Sequence, residues 1–202
     1  HEALPEPFDR YALTRGHNDA INRRQFGGAA GGGARGLGTF PTGFVRPGVT
    51  YTDHLTLRSG DLTFELHHGL GETDDHTWAW VPERRAAVVG DFILWVFPNA
   101  GNPQKVQRHP REWAQALRAI AALRPEILLP AHGLPVVGEE RVARILDDNA
   151  AALESLVSQT LALMNDGARL DVIVREVRLP AELASRPWLR PIYDEPEFVV
   201  RN

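Results

Sequence analysis

Three short motifs, each placed where a predicted strand ends, constrain most strongly what this chain can fold into. They are Gly-Glu-Thr-Asp-Asp-His at 71–76, Gly-Asp at 90–91 and Pro-Ala-His-Gly at 130–133. Within them Glu72, Asp91 and His132 are of metal-ligand type, and side chains at neighbouring strand ends can converge on one ion. Taken singly, each is more common as a turn carboxylate or a hydrogen-bonded loop histidine. Their joint occurrence at strand ends favours a metal site.

The overall composition fits one globular domain, or one domain with an appended piece. Of the 202 residues, 43% are hydrophobic and 24% are charged, which excludes the disordered and collagen-like classes. The net charge of -4 gives no electrostatic basis for binding nucleic acid. Because cysteine is absent from the sequence, disulfides and thiolate zinc sites are excluded.

The sequence shows no sign of a membrane or secretory segment. The longest apolar run, at 92–97, is too short to span a bilayer, and no signal peptide is visible. We therefore expect no membrane span and favour a cytoplasmic location. Because the chain opens on His1 rather than Met, we also expect it to be a piece of a longer protein.

The region from about 49 to 91 follows a strand pattern. Residues 61–67 alternate strictly between apolar and polar side chains, as in a half-buried strand. Two further strands, at 78–81 and 86–90, flank Pro82-Glu83-Arg84-Arg85, which is typical of a surface turn. Links this short predict an antiparallel meander.

After Asp91 the pattern changes to alternating helix and strand. A helix that starts at Pro110 and a short buried strand at 126–130 are predicted first. A long amphipathic helix follows at about 139–164, and a shorter one, capped by its first residue, at 171–178.

The N-terminal region is best interpreted as a helix followed by a loop. Residues 9–26 could form a helix, although apolar positions are few. Residues 27–38 are dominated by glycine and alanine, which favours a mobile loop. Within that loop Gly31, Gly33 and Gly36 satisfy the dinucleotide-binding fingerprint, although no strand precedes them and no helix pattern follows. Nucleotide binding is therefore the alternative interpretation of this loop.

The stretch 62–138 resembles the second half of a metallo-beta-lactamase domain, and its details resemble the alkyl sulfatase branch. In that branch Gly-Glu-Thr replaces the usual Gly-His-Thr, and Gly71-Glu72-Thr73 matches it. Asp91 follows Glu72 by 19 positions, as the carboxylate that bridges the two metals does in this family. Ala131-His132-Gly133 matches the motif of the last histidine ligand. The His-x-His-x-Asp-His motif of the first half is absent from these 202 residues.

The resemblance implies an α/β fold, namely a partial αββα metallo-beta-lactamase sandwich followed by a helical segment. Residues 1–137 would form the C-terminal half of the metallo-beta-lactamase-like domain. Residues 138–202 would form a helical segment that leads towards a dimerisation domain. The full-length protein would accordingly be a homodimer.

The resemblance also implies roles for the metal ligands. Glu72 would hold the first of two zinc ions, Asp91 would bridge them at the catalytic centre, and His132 would hold the second. Alkyl sulfatases usually carry glutamate at the bridge, so Asp91 indicates a divergent subgroup. Asp75 and His76 follow Glu72 closely and are expected to support the ligands or to substitute for them.

The substrate contacts match the family less closely. Asn99 falls at the asparagine that holds the sulfate group, but the position of the family's arginine falls at Gln104. Lys105 or Arg108 could supply the cation instead, or both could be solvated surface charges. Four large aromatic side chains could line an alkyl pocket or form ordinary core, namely Trp78, Trp80, Trp95 and Phe97.

The activity implied by the resemblance is zinc-dependent hydrolysis of a small alkyl sulfate ester through a metal-activated hydroxide. Because the cation has moved, the substrate could instead be another ester, such as a lactone, a thioester or a phosphoester. A third interpretation is an inactive structural fragment, because three donors cannot hold two metals tightly.

Overall fold

The computed structural model describes residues 1–30, 45–101 and 107–202, and for residues 22, 23 and 25–30 it describes only the backbone. Lys105 lies outside the described residues, and so does the glycine fingerprint of the N-terminal region. Within the described ranges no helix is both long enough and apolar enough to cross a membrane.

The first of two compact units, His1–Thr52, contains helices α1 (Pro5–Leu13) and α2 (Arg15–Ala30). The prediction of one helix at 9–26 is wrong, and the predicted loop does not begin at 27; the rest of that loop, 31–38, lies outside the described residues. The helix breaks at Thr14, whose hydroxyl donates to the carbonyl oxygen of Arg10 at 2.9 Å, and α2 continues across 27–30. Few apolar positions mark this region, so its sequence pattern does not define the helix ends.

The second unit, Asp53–Asn202, is built on a sheet of six described strands. They lie in sequence order across the sheet as β1 His54–Ser59, β2 Leu62–His68, β3 Thr77–Val81, β4 Ala86–Leu94, β5 Ile127–His132 and β6 Val136–Val137. Neighbouring strands are antiparallel, except that β4 and β5 are parallel. The predicted meander is therefore confirmed from β1 to β4, although it begins at 54 rather than at 49.

Two long helices pack with this sheet into one core. Helix α3 (Pro110–Ala122) makes the crossover that parallel pairing of β4 and β5 requires. Helix α4 (Glu139–Asn165) packs against α3. Trp113 is fully buried between them and the sheet, and its indole N–H donates to the carbonyl oxygen of Phe92 at 3.0 Å. Both helices were predictable because each has an apolar stripe of helical period.

Three short helices complete the described fold. They are α5 (Leu170–Glu176), α6 (Ala181–Ala184) and α7 (Pro196–Arg201). The helix predicted at 171–178 corresponds to α5, but Asp171 lies in its first turn and Arg169 takes the capping position. Val199 buries α7 in the same core as α3 and α4. The predicted boundary between residues 137 and 138 stays a prediction.

One face of the sheet is apolar and only partly covered. The strand register places Leu66, Ala79 and Val88 in one row across β2, β3 and β4, and Leu57 pairs with Phe64 on the same side. Leu57 is 45% exposed and Val88 is 39% exposed. An apolar sheet face is normally packed against another layer. The α/β class is thus confirmed, and the sheet leaves room for a further layer.

Candidate metal centre

The three predicted ligands reach the same end of the sheet from three different elements. Glu72 lies in the loop that follows β2, Asp91 lies within β4, and His132 ends β5. Because β4 and β5 are parallel, with Leu94 opposite His132, two donors that are 41 residues apart in sequence meet. The His132 Nδ1–H donates to Asp91 Oδ1 at 2.6 Å.

Glu72 and Asp91 form a pair of neighbouring carboxylates. Burial raises the pKa of Asp91, the nearby Glu72 carboxyl raises it further, and His132 acts in the opposite direction. Two carboxylates held together repel each other unless a proton or a cation lies between them. The arrangement therefore favours cation binding. We call Glu72, Asp91 and His132 the candidate centre.

Arg108 balances the charge of Glu72 from the protein interior. Its Nη2 donates to Glu72 Oε1 at 2.7 Å, and its Nη1 donates to the main-chain oxygen of Asn99. Asn99 Nδ2 donates to the same Glu72 oxygen at 3.1 Å. The Arg108 side chain is only 3% exposed, so its interpretation as a solvated surface charge is wrong. The guanidinium fork holds Glu72 and the Asn99 main chain together.

The residues that hold Arg108 in place carry no sequence signal. Asn202 Oδ1 accepts the Arg108 main-chain N–H at 3.1 Å, and Asn202 Nδ2 donates to the Arg108 carbonyl at 2.7 Å. Asp194 is 2% exposed: burial raises its pKa, while the Glu195 N–H and the Arg108 charge act against this. Because Asn202 is 94 residues from Arg108, no local motif could have revealed the contact.

The His76 ring explains why glycine directly precedes Glu72 and Asp91. A Cβ added to Gly71 would overlap the His76 imidazole, and a Cβ on Gly90 would lie 2.9 Å from His76 Nε2. Gly90 also has a φ of +54°, which side-chain-bearing residues rarely adopt. The ring therefore sets how closely the Glu72 loop and the bend before Asp91 approach each other.

The His76 ring is itself held by packing and by one polar contact. Its centroid lies 4.0 Å from that of Phe92, and Nε2 lies 3.2 Å from the carbonyl oxygen of Val89. Burial lowers the pKa of His76, against the Val89 contact and the charges of Glu72 and Asp75, so the ring is neutral at pH 7. That Asp75 and His76 support the ligands stays a prediction, and the packing of His76 supplies a physical route for it.

Replacing Gly90 by alanine should destabilise the protein through both backbone strain and the collision with His76. Adopting positive φ costs about 1–2 kcal/mol, and overpacking adds about 1–3 kcal/mol. Gly60→Ala is the matched control, because Gly60 has a φ of +57° but nothing within 4 Å of an added Cβ. Urea denaturation should show a larger loss for Gly90→Ala. Equal losses for the two variants would contradict the role of His76.

A groove of about 1130 Å³ adjoins the candidate centre. It is lined by Gly133 and Leu134, which directly follow His132, and by Trp95 and Trp188. Trp95 is 61% exposed and Leu134 is 84% exposed, so apolar surface is available to a ligand. The other aromatic residues considered for an alkyl pocket are buried in the core, namely Trp78, Trp80 and Phe97.

Comparison with known proteins finds alkylsulfatases, although no family model matches the chain. The linear primary-alkylsulfatase of Pseudomonas sp. (strain ATCC 19151) is 29% identical over 162 residues, which is 79% of this chain and 31% of that protein. The structure of the stereoselective inverting sec-alkylsulfatase Pisa1 from Pseudomonas sp. has a TM-score of 0.71 at 24% identity. A double mutant of the same enzyme has a TM-score of 0.71 at 25% identity.

Both structural matches cover 78% of this chain and 26% of the other. The chain therefore spans about a third of the length of the curated relative and about a quarter of the solved structures. Within that span the described fold is the fold of these enzymes.

Proposed function

We propose that this chain, which is similar in sequence and fold to alkylsulfatases, supplies part of the active site of a zinc-dependent hydrolase of alkyl sulfate esters with the metallo-beta-lactamase fold. The observation that carries the proposal is that Asp91 contacts both His132 and Glu72 at one end of the sheet. Glu72 is the residue that distinguishes the alkyl sulfatase motif from the common one. The proposed substrate is a small molecule, and the proposed assembly of the full-length protein is a homodimer.

The donors of the candidate centre fit zinc but fill only part of two coordination shells. Carboxylate oxygen and imidazole nitrogen are both zinc ligands. Because the Nδ1–H of His132 donates a hydrogen bond to Asp91, the lone pair of His132 Nε2 is available to a metal ion. We infer that a His-x-His-x-Asp-His segment outside these residues supplies the remaining ligands. The apolar sheet face at Leu66 and Val88 would pack against the layer that carries this segment.

A zinc ion held by these ligands would lower the pKa of a water molecule towards neutral pH and so make a hydroxide nucleophile available. The residues of this chain hold and orient the reacting groups. Arg108 holds the Glu72 carboxylate in place through the hydrogen bond from its Nη2. Asn99, whose amide lies beside Glu72, would orient the ester oxygens. The groove at Trp95 and Leu134 would receive the alkyl chain.

Metal analysis of the intact protein tests the ligand assignment. We expect Glu72→Ala to lower the bound zinc, because it removes one of the carboxylates of the candidate centre. Glu182→Ala is the matched control, since Glu182 is 82% exposed on α6. Unchanged zinc content in Glu72→Ala would refute the role of Glu72 as a ligand. Intact protein without any bound zinc would instead favour the inactive structural fragment.

The contacts of the Arg108 guanidinium favour a second candidate for the substrate. Its guanidinium is engaged by Glu72 and by the Asn99 main chain, so it does not stand open for a sulfate group. A neutral ester, namely a lactone or a thioester, is therefore the alternative substrate that this observation favours, whereas a phosphoester would need a cation as a sulfate ester does. Assays of a medium-chain alkyl sulfate, a thioester and a phosphodiester on the intact protein separate these classes. Turnover of the alkyl sulfate alone is the result that we expect.

A further inference from the structure

Three donor side chains lie together on β1 and β2, strands that contribute no residue to the candidate centre. The strands are antiparallel, with His54 opposite His67 and Thr56 opposite Glu65. Glu65 and His67 are two positions apart on β2 and therefore lie on the same face, which also carries Trp78. We call His54, Glu65 and His67 the strand triad.

The donor atoms of the strand triad are close enough to share one ion. One nitrogen from each histidine and one Glu65 oxygen all lie within 4.8 Å of one another. The ring centroids of His54 and His67 are 4.8 Å apart, and His67 Nε2 is 4.0 Å from Glu65 Oε2. An ion at about 2.1 Å from each donor needs donors roughly 3–3.5 Å apart. Side-chain rotations that move the donors by about an ångström would close this cage.

His67 is the fixed member of the strand triad. Its ring stacks on Trp78 at an interplanar angle of 14° and a centroid distance of 4.2 Å. Its Nε2 is buried and makes no hydrogen bond to any of the described residues, since 4.0 Å to Glu65 is too long. Buried polar atoms almost always have a hydrogen-bond partner, so we expect His67 Nε2 to bind a group that the described residues do not supply.

The protonation state of His67 suits a metal ligand. Burial lowers the pKa of His67, the neighbouring His54 lowers it further, and Glu65 acts in the opposite direction. A neutral imidazole offers a lone pair, which a protonated one cannot. His54 is exposed and Glu65 is half-buried, so an ion can reach the triad from solvent.

We propose that the strand triad binds one divalent transition metal ion, independently of the candidate centre. Two imidazoles and one carboxylate suit Zn²⁺ and its neighbours Co²⁺ and Ni²⁺ rather than Mg²⁺ or Ca²⁺. Three protein donors leave at least one position for water. The competing interpretation is a polar cross-strand cluster without an ion. That interpretation leaves the buried Nε2 of His67 without a partner among the described residues.

Calorimetric titration with Zn²⁺ tests the proposal on the chain carrying His132→Ala, which removes one ligand of the candidate centre. After chelator treatment this chain should bind Zn²⁺, and adding His67→Gln or Glu65→Gln should weaken the binding. Loss of groups that merely orient ligands costs 10–100-fold in affinity, so we expect a loss of at least about 100-fold for a ligand. Adding His17→Gln instead is the matched control, because His17 is an exposed histidine of α2.

A folding control keeps the test decisive. His54 is exposed at the edge of the sheet, so His54→Gln should fold normally, and thermal unfolding without metal checks this. Zn²⁺ should raise the unfolding midpoint of the His132→Ala chain but not that of its His54→Gln derivative. Zn²⁺ binding that withstands both His54→Gln and His67→Gln, or no binding at all, would overturn the proposal.

Discussion

Replacing Arg108 by alanine should lower the free energy of unfolding by about 3 kcal/mol, the lower end of the cost of breaking a buried ion pair. Arg108 is 3% exposed and loses two contacts, one with the Glu72 carboxylate and one with the Asn99 main chain. We take the lower end because Glu72 is 24% exposed, so water can partly solvate the abandoned carboxylate. Urea denaturation of the two proteins measures the difference.

Two further variants show whether the stability depends on the two contacts of the Arg108 guanidinium or only on its positive charge. Arg111→Ala removes an exposed arginine of α3 and should change stability by less than about 0.5 kcal/mol. Arg108→Lys keeps the charge but cannot make both contacts at once, so it should recover only part of the loss. If Arg108→Ala and Arg111→Ala were equally mild, the Glu72–Arg108 pair would not stabilise the fold.

Replacing Trp113 by alanine should cost about 3–5 kcal/mol, because it removes the largest fully buried side chain and leaves a cavity. The indole lies edge-on to Phe92, with 5.5 Å between ring centroids, within the core shared by α3, α4 and the sheet. Trp113→Phe should cost less, since it keeps an aromatic ring but leaves the Phe92 carbonyl without its donor. Thermal and urea unfolding measure both effects.

Leu123→Ala is the control for the Trp113 variants. Leu123 follows α3 directly and is 37% exposed, so its truncation leaves no closed cavity. We expect a cost below about 1 kcal/mol for it. Comparable losses for Trp113→Ala and Leu123→Ala would mean that α3 is not anchored through its tryptophan.

Elements that carry a complete pattern of their own could be predicted from the sequence. Strict alternation at 61–67 predicts β2, and an apolar stripe that includes Trp113 predicts α3. The convergence of Glu72, Asp91 and His132 was predictable for another reason. It follows from motifs and spacing that resemble a known family, because periodicity alone does not bring distant strand ends together.

Contacts between distant parts of the chain could not be predicted. No local sequence pattern indicates the hydrogen bonds between Asn202 and Arg108. None indicates the packing of His76 against Gly71 and Gly90 either. The meeting of His54 and His67 depends on the register of β1 and β2. A slip of one residue would send one of these side chains to the other face, and the turn that fixes the register uses Gly60 at positive φ.

The candidate centre can form only when β4 and β5 are paired in parallel. Asp91 and His132 are 41 residues apart, and parallel pairing of the two strands requires the chain between them to make the α3 crossover. The unfolded chain therefore lacks the centre, and an ion bound there would stabilise only the native state. Metal depletion in a cell would then lower the abundance of the folded protein, because unfolded chains are degraded, and it would also lower the proposed activity.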